Sequence, residues 1–359
     1  MAKILKKKTK FKILIIRLSA LGDIVHSFPA LKYINANLEA NELDYSIDFL
    51  IYEKFQDLLL ELSFINKIHT LKDKKFSSII NTLGDLIKEK YDYVIDFQGL
   101  LKTSFISLFS LAERRVGFAE PREKIAGLLY DMKLRQHSIW DKNFHVVEHN
   151  FKLANFFLSE FFFHEFFQGK IPEAYKPKKI LRSAKNIPLR KVVLIPCTTW
   201  ETKFWPKNHW VSIIEKISVE FPAAKFYLTG TLSDKAYLES ITHDLLPHNY
   251  QKCTLVLDKG LIGLRMFFKD ADLILGVDTG PLHLAADALY NSDSAQIIGI
   301  YGPTSAKRSG PYSFDYLSYD EIYQTKASHK RTFKKDNGSM NKISPEKLFE
   351  KLLSIGFSR

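Results

Sequence analysis

The chain has 359 residues, 46% of them hydrophobic, and a formal net charge of +12, with a pI near 9.3. That length favours two domains with sizeable cores, and the charge favours anionic partners such as phosphorylated sugars, acidic lipid or nucleic acid. Two cysteines, Cys197 and Cys253, make neither a disulfide framework nor a zinc pattern, which points to core thiols in a reducing cytoplasm.

The opening MAKILKKKTKFKILII is basic and then apolar. The apolar run is short, Arg17 follows it, and no small-residue cleavage site appears, so it reads as a first strand at 12–19 rather than a signal peptide. Residues 21–38 read as a turn and then a helix, with Ser27 and Pro29 as start markers. A strand at 47–52, a helix at 76–90, a third strand at 91–97 and a helix from Gln98 follow. The aromatic run at 156–167 is interrupted by Glu160, His164 and Glu165, so it is a core-facing helix and not a membrane span. The Pro- and Lys-rich stretch 168–190 carries a linker, set at 171–190. Beyond it, apolar runs at 192–197, 225–230, 253–258, 273–278 and 297–302 alternate with helical patterns. Strands separated by helices of this length imply parallel, doubly wound sheets. The expected class is therefore α/β with two Rossmann-like halves, 1–170 and 191–343. A closing helix at 344–359 is started by Ser344, with Glu346 near its tip.

Ligands of doubly wound sheets sit beyond the carboxyl ends of the strands, which selects the loops to inspect. In residues 273–289 a buried strand stops at Asp278-Thr279-Gly280-Pro281 and a helix follows at once. Gly280 permits a sharp turn or a close ligand, and Pro281 suits the first helical position. The helix start favours an anion such as phosphate, although an ordinary strand-to-helix turn has the same sequence. After the first strand, Asp23 is a general base or a helix cap, the cap being the stronger reading on spacing alone. After 192–197, Thr198, Thr199 and Lys203 can bind phosphate oxygens. Pro303-Thr304-Ser305 forms another polar rim. Neither a P-loop nor a G-x-G-x-x-G fingerprint occurs. Asp270-Ala271-Asp272 has the D-x-D form, but it precedes a strand and reads as a solvated turn. No His or Cys cluster suggests a metal.

Several segments together carry a resemblance. RLSALGDIVHSFPAL at 17–31, VIDFQGLLKTS at 94–104, REKIAGLLYD at 122–131, GVDTGPLHLAADAL at 276–289 and IYGPTSAKRSGPY at 300–312 resemble, in order, the motifs of the bacterial lipopolysaccharide heptosyltransferases, glycosyltransferase family 9. The S-A-L-G-D-I-V-H form and the REKIAG segment resemble the heptosyltransferase I branch more than heptosyltransferase II. The resemblance implies a GT-B architecture, two Rossmann-like domains facing across a cleft. It implies a cytoplasmic enzyme, peripheral to the inner membrane, that moves L-glycero-D-manno-heptose from ADP-heptose to Kdo of the lipopolysaccharide inner core with inversion. The partners are then ADP-heptose and Kdo-lipid A, with no cofactor, no metal and no nucleic acid. The alternative is addition of the second heptose.

The same resemblance assigns residues. Asp23 matches the base, which outweighs the capping reading. Lys203, Thr198, Thr199, Asp278, Thr279, Gly280 and His283 match donor residues, with backbone N–H groups at Thr279 and Gly280 meeting the diphosphate. On the residues alone His283 is a packed helix histidine. Lys72, Lys74 and Lys75 fall where relatives place a basic acceptor cluster, as lysines rather than arginines. Lys102 and Arg122 are further acceptor candidates, and Gln98 and Gly99 should border that site. Each lysine taken singly is also an ordinary surface charge. The basic stretch 326–342 reads as a flexible loop that touches the membrane surface. A nucleic-acid-binding protein would explain the charge, but few aromatics interleave the basic runs. A Rossmann oxidoreductase would explain the fold, but its fingerprint is missing.

Overall fold

Six strands in each half of the chain pair in parallel, and the two sets form separate sheets. The computed structural model describes residues 10–121, 123–135, 144–162, 187–292, 294–322 and 338–358. The chain divides into two compact units, Met1–Lys176 and Pro177–Arg359.

The first unit contains β1 (Phe11–Ile16), α1 (Leu21–Val25), α2 (Phe28–Ala40), β2 (Tyr45–Tyr52), β3 (Ile65–Leu71), α3 (Phe76–Glu89), β4 (Tyr93–Asp96), α4 (Leu101–Phe109), β5 (Arg114–Phe118), β6 (Met132–Leu134) and α5 (Val146–Phe162). Its strand order is β3-β2-β1-β4-β5-β6. The central strands are apolar on both faces because helices cover both. On one face α2 packs on α5, whose Phe151, Phe157 and Phe161 are buried. The 156–167 run is core-facing through Phe162, and its remainder lies outside the described residues. The segment 21–38 is two helices rather than one, and Ser27 starts the second with Pro29 in its first turn. Three strands escape the sequence reading, β3, β5 and β6. β3 and β6 are the sheet's edges, where polar side chains such as Asn66 and Lys67 face solvent and blur the apolar signal. Tyr93–Asp96 is therefore the fourth strand, not the third.

The second unit contains β7 (Lys191–Ile195), α6 (Lys207–Glu220), β8 (Lys225–Gly230), α7 (Lys235–His243), β9 (Cys253–Leu257), α8 (Gly260–Lys269), β10 (Leu273–Val277), α9 (Gly280–Ala288), β11 (Gln296–Tyr301), β12 (Asp315–Ser318) and α10 (Pro345–Ile355). Its order is β12-β11-β10-β7-β8-β9. Edge strand β12, sequence DYLS, is the one the apolar pattern misses. Trp205 and Trp210 fill the core, edge to face at 4.9 Å. The Trp205 indole N–H donates to the Ile343 carbonyl at 2.8 Å, so the end of the chain closes over this core. Ser344 caps α10 by accepting from the Lys347 N–H, and Gly356 ends it in the left-handed region. Ser339 and Met340 are buried. A Cβ on Gly302 would lie 2.5 Å from the Met340 sulfur, so the Met340 side chain occupies the space beside this glycine. The described end of 326–342 is thus packed and not a loose loop; residues 326–337 lie outside the described residues.

Asp270-Ala271-Asp272 is a turn, as its place before β10 suggests. The Asp272 carboxylate accepts from the Arg190 and Lys191 N–H groups at 2.9 and 2.7 Å and pins the start of β7. Both cysteines are free, Cys197 buried and Cys253 partly so, and burial pushes both thiols up to about 12. Among the described residues no helix is long and apolar enough to cross a membrane.

Candidate active site

In the first unit the site grows from the carboxyl end of β1. Arg17 follows the last strand residue and Asp23 lies in the first turn of α1. The Arg17 guanidinium meets the Asp23 Oδ1 at 3.1 Å, with Arg17 buried at 5% exposure and Asp23 open at 40%. Arg17 also donates to the Phe97 carbonyl. A buried cation fixed at both ends thus holds a carboxylate that water or a substrate hydroxyl can reach. The Ala20 N–H is 3.4 Å from Asp23 Oδ2, so the carboxylate sits where a helix cap would and remains accessible to an incoming group.

The loop itself is held from β4. The Gln98 side-chain oxygen accepts from the Leu18 and Ser19 N–H groups at 3.0 and 3.2 Å. Gln98 is buried and braces the Asp23 loop. The Gln98 and Gly99 N–H groups donate in turn to Asp96 Oδ1 at 2.8 and 3.2 Å, and the Tyr130 hydroxyl donates to Oδ2 at 2.6 Å. Gly99 has φ +64, a conformation glycine takes without strain. Full burial raises the Asp96 carboxyl despite these donors.

The basic candidates gather on the same edge of the sheet. Lys102, in the first turn of α4, donates to the Tyr52 hydroxyl and lies 5.0 Å over its ring. Tyr52 pairs with Leu71 at the ends of β2 and β3, and Lys72, Lys74 and Lys75 follow immediately, all exposed. Asp73 ties that loop by accepting from the Lys75 N–H and the Ser78 hydroxyl at 2.8 and 2.7 Å. Arg122 lies outside the described residues.

In the second unit the site surrounds Asp278, the buried residue just past β10. Its Oδ2 takes the Lys203 ammonium at 2.7 Å and the Thr304 hydroxyl at 2.7 Å. His283 Nε2 lies 3.5 Å from Oδ1. The Thr198 hydroxyl reaches the Asp278 backbone carbonyl at 3.5 Å. Burial alone would raise the Asp278 carboxyl, but His283 and Lys203 drive it well below the ordinary carboxylate range. The Lys203 ammonium also lies 4.5 Å over the Trp200 ring. Asp278 therefore acts as an organiser: its oxygens are taken by protein donors, and a fixed anion would repel a phosphate placed on it. His283 is buried and belongs to that support. Thr279 starts α9 in extended conformation without a side-chain cap. Pro281 has no N–H and the Leu282 N–H donates to the Thr279 carbonyl at 3.1 Å, which leaves the Gly280 N–H as the first-turn donor at the helix start. Thr199, exposed, lies in the Lys203 loop.

Sequence reasoning missed Arg17, Tyr52 and Asp96 as site residues, and it left Thr304 as anonymous rim. The signal for Arg17 was a cation ending an apolar strand six residues before the candidate base. Among the described residues no group of acidic, histidine or cysteine side chains forms a metal cluster.

Two parallel-sheet units, one carrying an accessible carboxylate and the other a helix start beside the Lys203 ammonium, have the makeup of a GT-B-type glycosyltransferase. Residues 80–338 match the sequence profile of glycosyltransferase family 9 (heptosyltransferase). The chain is 30% identical over 308 residues to lipopolysaccharide heptosyltransferase 1 of Campylobacter coli, covering 83% of this chain and 86% of that one. It is 25% identical over 316 residues to lipopolysaccharide heptosyltransferase 1 of Escherichia coli K12, covering 84% and 91%. The chain belongs to glycosyltransferase family 9, the heptosyltransferases. Its fold is similar to that of E. coli heptosyltransferase WaaC with ADP, at TM-score 0.71 and 18% identity over 96% of this chain and 100% of that one. It is similar as well to E. coli ADP-heptose lipopolysaccharide heptosyltransferase II, at TM-score 0.68 and 18% identity over 96% and 98%.

Proposed function

We propose that the chain transfers L-glycero-D-manno-heptose from ADP-heptose to Kdo of the lipopolysaccharide inner core, with inversion at the anomeric carbon. The observation that carries this reading is the Arg17–Asp23 pair, an open carboxylate held by a buried guanidinium at 3.1 Å. Asp23 takes the proton of the acceptor hydroxyl as that oxygen attacks the anomeric carbon. Arg17 fixes the carboxylate rotamer, so the proton is collected at one place. The bond from that carbon to the ADP oxygen breaks on the opposite side, and negative charge grows on the diphosphate. Lys203, oriented by Asp278, and the Gly280 N–H at the start of α9 stabilise that charge. Thr198, Thr199 and Thr304 supply hydroxyls beside it. Lys72, Lys74, Lys75 and Lys102 attract the anionic acceptor, and Arg122 adds to that charge.

The names of the relatives at 30% and 25% identity support the first heptose transfer over the second, as do the opening motif and the REKIAG segment. Transfer requires no metal in this scheme. The enzyme works on the cytoplasmic surface of the inner membrane, where its lipid-linked acceptor is held. The test offers purified enzyme ADP-heptose with Kdo-lipid A and, separately, with core that already carries one heptose, and weighs the products. A mass gain of one heptose on Kdo-lipid A alone is expected. Gain only on the heptosylated core assigns the second transfer instead, and gain on neither overturns the reading.

A further inference from the structure

Helix α4 buries three hydroxyl residues beside Ile106 and exposes two phenylalanines. Its hydroxyl residues Thr103, Ser104 and Ser107 are fully buried. Thr103 and Ser104 donate to the carbonyls of Leu100 and Leu101 at 2.9 and 2.8 Å, so small polar side chains are tolerated inside. Its phenylalanines point out: Phe105 and Phe109 are exposed, with rings stacked at 6.3 Å and 18°. A helix facing only water has the opposite pattern. The neighbours repeat it. The 3-10 turn Lys124–Leu129 packs on α4 with Ala126 and Gly127 inward and with Ile125 and Leu128 outward. Leu111, just past α4, and Phe76, at the start of α3, are exposed too, the latter at 76%. These elements connect β3, β4, β5 and β6 in turn, and right-handed crossovers put them on one face of the sheet. The result is an outer layer whose water-facing side is apolar across three adjacent elements.

We infer that this face, formed by α4, the 3-10 turn and the start of α3, docks on an anionic lipid surface. The charges around it select that occupant. Lys72, Lys74, Lys75, Lys102 and Lys124 stand at the loops and first turns of the same layer. Two acids at these turns are occupied: Glu123 accepts from the Leu101 N–H and Asp73 from the Lys75 N–H and the Ser78 hydroxyl. Apolar side chains with a lysine border match an acyl boundary under acidic headgroups. A second copy of the chain is a poor occupant, because two-fold pairing would bring the same lysines face to face. The inference rests on the first unit's surface; the lipid-linked acceptor of the proposed function supplies only its purpose.

The test is flotation of full-length protein with vesicles of phosphatidylethanolamine and phosphatidylglycerol, against vesicles of phosphatidylcholine alone. Wild type is expected to float with the anionic vesicles and to be released by salt. The variant Phe105→Ser/Phe109→Ser/Leu128→Ser should lose about a hundredfold in partitioning. Val219→Ser/Leu246→Ser/Met266→Ser, at apolar residues exposed in the second unit, should float like wild type. Phe109→Trp supplies a probe that does not depend on the triple variant folding: its emission should shift to the blue with anionic vesicles, and an unchanged spectrum overturns the inference. So does equal flotation of the two triple variants, or a wild-type dimer that the first triple variant splits while wild type ignores vesicles. ADP binding, followed in the same samples by calorimetry, separates the two readings: its loss with flotation intact condemns the donor site and leaves the docking face standing.

Discussion

Two aspartates stand past the ends of central strands, and their surroundings are opposite. Asp23 is 40% exposed and has one cationic partner, a buried arginine. Asp278 is buried, with a lysine and a threonine at one oxygen and a histidine beside the other. The difference separates two tasks that residue type alone does not. A carboxylate that must accept a proton needs an open lone pair. A carboxylate that must orient cations needs all its lone pairs engaged and its proton affinity suppressed. In the proposed mechanism the same side chain is base in one unit and organiser in the other because burial and donor number differ.

That contrast breaks most sharply at Asp23. Asp23→Ala should lower turnover by at least about a thousandfold, the upper part of the range for a positioned base. ADP affinity, measured by calorimetry, should be nearly unchanged. Turnover equal to wild type would remove Asp23 from the mechanism. The organiser is tested next through its cation: Lys203→Ala should weaken ADP-heptose binding by about tenfold to a hundredfold, the worth of one charge-assisted contact or two. Unchanged affinity in a binding titration would reject that role.

Arg17→Met keeps the volume of the buried side chain and removes its charge. It should cost about tenfold in turnover while leaving the apparent affinity for ADP-heptose alone, since it acts by positioning Asp23. Partial recovery in Arg17→Lys is expected, because lysine restores the charge and not the two-ended grip. A change in donor affinity with unchanged turnover would assign Arg17 elsewhere.

The smallest effect is on stability against pH. Asp278 titrates below its ordinary value of 3.8 in the folded chain. A depressed carboxyl contributes stability that is fully present above the unfolded value and drains away as pH falls through the folded one. Wild type should therefore lose thermal stability below about pH 4 more steeply than Asp278→Asn, whose acid limb is flatter. Melting curves between neutral pH and pH 3 compare them. At neutral pH the variant should melt lower, because the Lys203 ammonium is left buried without its counter-charge. Parallel acid limbs would show that the Asp278 cluster does not couple to folding.

How far the residues announced all this depends on which physical signal each feature leaves. β1, β10 and β11 are sealed on both faces, so continuous apolar runs such as LILGV marked them. β3 and β12 are edges with polar residues, and β6 has three residues, so their period was lost among loops. Asp23, Lys203 and Asp278 were legible because doubly wound sheets place ligand loops after carboxyl ends. The division of labour between the two aspartates was not legible, since it depends on Arg17, Thr304 and His283, which the chain brings in from other elements. Gln98 shows the same limit. Its position beyond β4 marked it as bordering the acceptor, yet its side chain turns inward to brace the loop of Leu18 and Ser19. A side chain's direction follows from tertiary packing, and local spacing does not contain it.

The closing contact between Trp205 and Ile343 has a consequence for synthesis. Ile343 supplies the carbonyl for an indole made 138 residues earlier, and Met340 fills the space left by Gly302. The first unit can condense as soon as its own sheet is complete, while the second must wait until the segment around Ile343 has been made. A message truncated just before Ser339 would yield a sound amino-terminal body joined to an unfinished partner, with bare tryptophan surface for chaperones and proteases to read.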